Sequence, residues 1–343
     1  MTSTEFAKLI GVSQPTVSRA LNGKDNISPE TKQYVIDKAK EFGFVLNSQA
    51  SSLKTQRSNS IGILFPSYFQ ALSRNLMFTY LYDSLQAELI KSNYDVLIIS
   101  EIDGHDYDSS LERIVKSRKI DGLINFKPDL SEKEKSLIKS SDIPYISLHS
   151  GLQNSKEFHQ LISDDYDAGK QVGEHFAYFI NSLPVYIGPL KRSNYKEPRL
   201  CGFEDALMRH GVIPHCLPIK NVEMKDAYNL VLDNCKLFTV NETSIFAYND
   251  VIARGVIAAL NKLEVIIPKW AQIISMDDIP LATWLPPELS TMAFPVKQMT
   301  KDACQLMIRL INGEQIEPRT VYYKSTLINR DTSLPYENKK TSE

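Results

Sequence analysis

The sequence predicts an N-terminal all-α helix-turn-helix domain, then a polar linker, then an α/β core of two parallel-sheet lobes. Residues 5–22 spell two short amphipathic helices around a tight turn, Glu-Phe-Ala-Lys-Leu-Ile-Gly-Val-Ser-Gln-Pro-Thr-Val-Ser-Arg-Ala-Leu-Asn. From Ser60 onward, apolar strand-like runs alternate with helical stretches, an order that demands parallel sheets covered on both faces. Charge divides in the same place: residues 1–60 carry eight Lys/Arg against five acids, whereas the whole chain holds 39 Lys/Arg and 41 Asp/Glu. A basic head on an acidic body is the footprint of a modular nucleic-acid binder.

In the head, Phe6, Ala7, Ile10, Val12, Val17 and Leu21 supply apolar positions at helical spacing, and Gly11 stands where the first helix must stop. Ser13 is suited to cap the second helix, with Pro15 in its first turn, where a missing N–H does little harm. Gln14, Thr16, Ser18, Arg19 and Asn22 are left on the outer face, able to reach base edges and phosphates. Ser28-Pro29-Glu30-Thr31 opens a third helix that runs to about Phe42-Gly43 and offers Tyr34, Val35, Ala39 and Phe42 as its core face. Three apolar stripes are enough to close a bundle, which favours a DNA-binding unit over a generic helical hairpin.

Residues 44–60 turn small and polar and read as a linker. Beyond them, Ile61–Phe65, Asp95–Ser100, Gly122–Phe126 and Tyr145–His149 form one series of strands, with helices near 73–91, 107–118 and 131–140. Val185–Gly188, Ile245–Tyr248 and Gln272–Met276 form a second, with helices near 166–180, 199–210, 225–235 and 250–262. Two series of this size predict two similar lobes, with ligand beyond the carboxyl ends of the strands, in the cleft between them. The four cysteines are scattered without a CxxC pair and the six histidines lack ligand spacing; reduced thiols, no metal and no cofactor are expected. No signal peptide is read ahead of the head and no apolar run is long enough to span a membrane, so a cytoplasmic location is expected.

Several segments in order now carry a likeness. Phe6-Ala7-Lys8-Leu9, Gly11-Val12-Ser13, Thr16-Val17-Ser18-Arg19 and Asn22 lie in the head. Val115 to Gly122, Asp164 with Ala168-Gly169, Gly188-Pro189, Arg199-Leu200-Cys201-Gly202-Phe203, Phe246 to Ala253, Met276-Asp277-Asp278-Ile279 and Leu289-Ser290-Thr291 follow in the core. Over nearly its whole length the chain resembles the lac-repressor (LacI/GalR) family of transcription regulators. That resemblance implies a type I periplasmic-binding-protein-like core and a division into head 1–45, hinge helix or linker 46–59, core 60–333 and polar tail 334–343. Within the core it implies an N-lobe of about 60–161 and 292–322 and a C-lobe of about 162–291 and 323–333.

The same resemblance assigns roles. Base-reading positions fall on Gln14, Pro15 and Arg19; Gln suits adenine and Arg guanine, each worth roughly 1–3 kcal/mol of discrimination, while Pro15 offers apolar contact alone. Ser13, Thr16, Asn22 and Asn26 fall to phosphates, with a structural role equally open to Thr16. Asn47 matches the opening of the hinge, Ala50 and Leu53 its minor-groove wedge, and Lys54 lies near phosphates; such a wedge kinks the duplex by unstacking a step. Leu46 stands where the family usually has Pro, which leaves the hinge start less rigid. A homodimer on a pseudo-palindromic double-stranded operator is implied, and the heptad-free tail argues against a tetramer.

Family effector contacts fall on Arg199, Asn249 and Asp277, with Asp164 and His149 nearby, a set that suits a polyol. Asp165 and Asp278 read as cap or surface partners, and Asn249 has a second reading as the cap of the helix from Asp250. Phe69 and Phe78 either stack on a sugar face or pack in the core. Two departures stand out: His149 occupies a position often acidic in sugar-binding relatives, and Phe294 replaces a common polar residue. Lys191, Arg192, Tyr195 and Lys196 add positive charge near the cleft mouth, which admits a sugar phosphate or sugar acid. A sugar or sugar derivative is the expected effector; a nucleobase or a protein corepressor is the alternative. An enzyme is not expected, because adjacent aspartates rarely flank one bond and no GxSxG, P-loop or GxGxxG is present. A solute-binding protein lacking regulatory function would have no use for the head.

Overall fold

Phe6 and Val17, both fully buried, anchor the head. Its helices α1 (Ser3–Leu9), α2 (Gln14–Leu21) and α3 (Pro29–Glu41) close on these two with Ala7, Ile10, Ala20, Val35, Ala39 and Phe44. Thr2 and Glu5 cap α1 reciprocally, and Ser28 caps α3. Gly11, at φ +72°, turns the chain between α1 and α2, a left-handed conformation that costs glycine nothing in side-chain clash. The third helix differs from the sequence reading. Tyr34 and Phe42 are exposed, and Phe44 fills the core instead, stacked on Phe6 with ring centroids 4.1 Å apart. Gly43, at φ +58°, folds the chain back after α3, so the aromatic that meets Phe6 lies outside the helical period. Tyr34 donates its hydroxyl to the Ile10 carbonyl at 3.0 Å, tying α3 to the end of α1.

The computed structural model describes residues 1–21, 27–45, 57–65, 76–100, 107–127, 129–149, 157–179, 181–192 and 195–335. Asn22, Asn26, Ala50, Leu53, Lys54 and Phe69, and with them the expected hinge helix, lie outside the described residues.

The first sheet of the core runs β13 (Thr320–Tyr323), β5 (His159–Ser163), β4 (Tyr145–His149), β3 (Gly122–Asn125), β1 (Ser60–Leu64), β2 (Asp95–Ile99), every pair parallel. Helices α4 (Leu76–Lys91), α5 (Tyr107–Lys116), α6 (Glu132–Ser140) and α12 (Val296–Ile311) belong with it. The second runs β14 (Thr326–Ile328), β12 (Ser290–Ala293), β11 (Ala271–Asp277), β10 (Thr243–Ala247), β6 (Leu183–Gly188), β9 (His215–Pro218), parallel except for the β14 edge. Around it lie α7 (Asp165–Ala177), α8 (Pro198–Arg209), α9 (Met224–Asp233), α10 (Cys235–Val240) and α11 (Asp250–Lys262). A short hairpin, β7 (Lys191–Arg192) with β8 (Tyr195–Lys196), stands between β6 and α8.

The expected strands are all present within two residues of their read bounds, because each reads as an apolar run, although β2 is buried only at Ile99 and leaves Asp95 and Ile98 exposed. In the two core sheets, the strands that apolar patterning did not pick out, β5, β9, β12, β13 and β14, carry polar or half-exposed residues. Helices α7 and α8 approach unusually closely. A Cβ on Gly169 would lie 1.9 Å from the Arg199 carbonyl oxygen, and one on Gly202 1.9 Å from that of Tyr166. This contact brings the first turns of both helices together.

Candidate functional site: a recognition face and an arginine hub

On α2, Val17 and Ala20 are buried while Gln14, Pro15 and Arg19 are exposed, so the three expected base-reading side chains share the outward part of the helix. Ser13 caps the helix: its Oγ accepts the Thr16 N–H at 3.3 Å and lies 2.7 Å from Thr16 Oγ1. That pairing gives both residues a structural role in holding the helix start. Gln14 Nε2 donates to Ser3 Oγ at 3.4 Å, a long bond that a base edge can replace.

In the core, strand ends and helix starts deliver the remaining side chains. His149 ends β4, Asp277 ends β11, Asp164 and Asp165 open α7, Arg199 lies in the first turn of α8, and Asn249 precedes α11. Arg199 is the hub, with 4% of its side chain exposed. One terminal nitrogen donates to the Tyr248 carbonyl at 2.7 Å; the other stands 3.5 Å from Asp165 and 3.8 Å from Asp277. The guanidinium also sits 4.4 Å from the centre of the Tyr248 ring. Its Nε is buried with no acceptor among the described residues. Burial works against the Arg199 charge, but Asp165, Tyr248, Asp277 and Glu197 outweigh it and hold the group protonated.

Two neighbours of this hub differ from the sequence reading. Asp164, the expected contact, accepts the Asp167 N–H at 3.0 Å and caps α7, a geometry that takes one of its carboxylate oxygens. Asp165, expected as a cap or surface partner, is the buried acid that faces Arg199 and accepts from Ser163 Oγ at 2.8 Å. Asn249 adopts its second reading: its side-chain oxygen accepts the Ile252 N–H at 3.0 Å and caps α11. Asp277 and Asp278 both take positive φ, +112° and +52°. Asp277 thereby joins Arg199, and Asp278 pairs with Arg330 at 2.7 Å. Next to Asn249, Asp250 is fully buried; burial pushes its carboxyl up to about 6 against three hydrogen bonds that favour the charge.

His149, at φ +70°, has Phe294 edge-on at 5.3 Å and Phe78 at 6.2 Å. Phe78 stacks on Phe126 at 6.0 Å and packs edge-on to Phe65, and both Phe78 and Phe294 are 92% buried or close to it, at 8% exposure. Phe78 and Phe294 therefore behave as core residues that fix His149. Of the basic residues near the hairpin, Lys196 is held by Glu204 and Lys191 is exposed; the side chains of Arg192 and Tyr195 lie outside the described residues. Patterning missed Glu197 and Tyr248, and gave Asp165 a cap or surface role in place of the buried one. Asp164, directly before the helix, carried a usable signal as an N-cap acid. Among the described residues no group of His, Cys, Asp and Glu has metal-holding geometry, and no helix is long and apolar enough to cross a membrane.

Residues 4–47 match the model of bacterial regulatory proteins, lacI family, and residues 175–333 that of a periplasmic binding protein-like domain. Residues 4–47 thus form a lacI-family head, and residues 175–333 a periplasmic binding protein-like domain. With such a head the chain is a DNA-binding transcriptional regulator, and its relatives are regulators, not enzymes. It is 25% identical over 339 residues to the HTH-type transcriptional repressor PurR of Vibrio parahaemolyticus, covering 96% of this chain and 98% of that one. It is 27% identical over 339 residues to the HTH-type transcriptional regulator RegA of Clostridium saccharobutylicum, with the same coverage. Among solved structures, its fold is that of the lac repressor dimer bound to operator and the anti-inducer ONPF. There the TM-score is 0.77 at 18% identity, over 98% of this chain and 99% of that one. A lacI-family regulator from Enterococcus faecium with bound ribose superposes with a TM-score of 0.69 at 22% identity, over 81% of this chain and 100% of that one.

Proposed function

We propose that this regulator is a repressor whose operator affinity is set by a neutral, hydroxyl-rich effector, a sugar, held at Arg199 in the cleft of core 60–333. Two copies, each with a head of residues 1–45 and a linker of 46–59, read the halves of a pseudo-palindromic operator. Gln14, Pro15 and Arg19 meet base edges, Ser13, Thr16, Asn22 and Asn26 meet phosphates, and Ala50 and Leu53 enter the minor groove with Lys54 beside them near phosphates.

The observation that carries the effector reading is the Arg199 hub. Its cation already faces Asp165 and Asp277 at 3.5 and 3.8 Å, with Glu197 buried alongside. Those separations exceed hydrogen-bond length, so sugar hydroxyls can donate to the acids while another accepts from the buried Nε. An anion would meet more negative than positive charge there, and Lys196 is already paired with Glu204. A neutral sugar thus fits better than a sugar phosphate or acid. The aromatic edges around His149 favour, as a second reading, a planar nucleobase. An effector shifts operator affinity only by its differential affinity for two dimer states, typically about 1–3 kcal/mol.

Thermal shift with D-ribose, cellobiose, glucose 6-phosphate, glucuronate and adenine tests the effector class. Stabilisation by a neutral sugar supports the proposal; stabilisation by an anion alone, or by adenine alone, replaces it. In parallel, selection from random DNA should enrich inverted repeats, and enrichment of asymmetric sites would remove the dimeric reading.

A further inference from the structure

Asp250 has a job that its sequence neighbour Asn249 does not share. One carboxylate oxygen accepts the hydroxyls of Ser275 and Thr291, and the other accepts the Ile279 N–H at 2.9 Å. Ser275 lies two residues before Asp277 and Ile279 two residues after it. Thr291 also accepts the Asp278 N–H at 3.3 Å. The bonds of one buried carboxylate therefore bracket Asp277 and Asp278, the two consecutive residues with positive φ. Non-glycine residues in that region cost of order 1–3 kcal/mol each and persist only where their surroundings over-determine them. One turn along α11, Arg254 donates to the carbonyls of Leu281, Ala282 and Pro287, fixing the chain that follows.

We infer that Asp250 is a positioning residue for the effector site: its bracket holds the strained Asp277-Asp278 turn that aims the Asp277 carboxylate at Arg199. The inference rests on Asp277 being an effector contact, as proposed above. It adds a residue that reaches the effector through the backbone of another.

The test is a ligand-free crystal structure of full-length Asp250→Asn, with titrations of D-ribose and cellobiose into that variant, Asp277→Asn and wild type. The substitution keeps an oxygen for Ser275 and Thr291 but sets an NH2 group against the Ile279 N–H. Expected is a turn that leaves the positive-φ region and an Asp277 carboxylate withdrawn from Arg199. Affinity for a sugar that binds wild type should fall about tenfold or more, the scale of one lost hydrogen bond to a charged group, while operator affinity without sugar is retained. A merely stabilising residue would lower the melting temperature and leave Asp277 in place, and that result overturns the inference. If Asp277 moves but sugar affinity survives both substitutions, the bracket stands and the effector reading falls. Where neither sugar binds wild type, the ligand-free structure alone decides. Should Asp250→Asn not fold, Thr291→Val removes one hydroxyl of the bracket and carries the same structural readout.

Discussion

The guanidinium of Arg199 stands 3.5 Å from the carboxylate of Asp165, while Asp164, one residue earlier, caps α7. Gly169 and Gly202 make that meeting possible by letting α7 and α8 come almost into backbone contact. The Asp165–Arg199 half of the hub is thus built on a helix crossing, while Tyr248 and Asp277 come from the chain at the ends of β10 and β11.

Replacing Arg199 by Met leaves Asp165, Asp277 and Glu197 buried beside an apolar group. Removing one partner of a buried pair typically costs about 3–5 kcal/mol. Denaturant unfolding of the core should show a loss of that order, and any sugar-induced rise in melting temperature should disappear. A variant as stable as wild type would contradict the hub geometry.

Gly202→Ala should be more damaging than Gly211→Ala. A Cβ at position 202 meets the Tyr166 carbonyl oxygen at 1.9 Å, whereas position 211 has no neighbour within 4 Å and only the strain of φ +74°. Overpacking costs about 1–3 kcal/mol or more, against roughly 1–2 kcal/mol for a left-handed alanine. Melting temperatures of the two variants order the effects directly.

Phe44→Ala should unfold the head and spare the core. Phe44 is stacked on the fully buried Phe6, and truncating a core Phe costs about 3–5 kcal/mol, a large share of what so small a bundle possesses. Operator binding should be lost while thermal denaturation of the core stays at its wild-type temperature.

Arg19→Ala, on the exposed part of α2, should relax specificity at one base pair of each half-site. The loss expected is roughly 1–3 kcal/mol of discrimination. Competition binding with single-base operator variants measures it. A uniform weakening across sequences, with the salt slope reduced by about one, would mark Arg19 as a phosphate contact instead.

Asp250 makes stability depend on pH in an unusual direction. Its carboxyl is raised from 3.8 to about 6 by burial, so between those values the folded chain holds a proton that the unfolded chain has released. Stability from this group therefore grows as pH falls through about 6 toward 3.8 and is lost as pH rises. Denaturation of wild type and Asp250→Asn from pH 4 to 8 should show their difference moving in favour of wild type on acidification.

Much of this molecule was readable in the chain. Capping residues Ser13 and Ser28, the turn glycine Gly11 and the apolar period of α1 and α2 act locally, so they specify the head wherever it sits. Buried parallel strands such as β1, β3 and β10 announce themselves as apolar runs because both faces are covered. The tertiary structure alone decided which acid meets Arg199, that Phe44 and not Phe42 reaches Phe6, and that Asp250 brackets the Asp277 turn. Each of these depends on direction in space: an N-cap turns Asp164 onto its own helix, a left-handed glycine redirects Phe44, and a buried carboxylate gathers donors from two separate strands. Residue type and spacing carry propensity along the chain, and only packing between distant segments sets which way a side chain points.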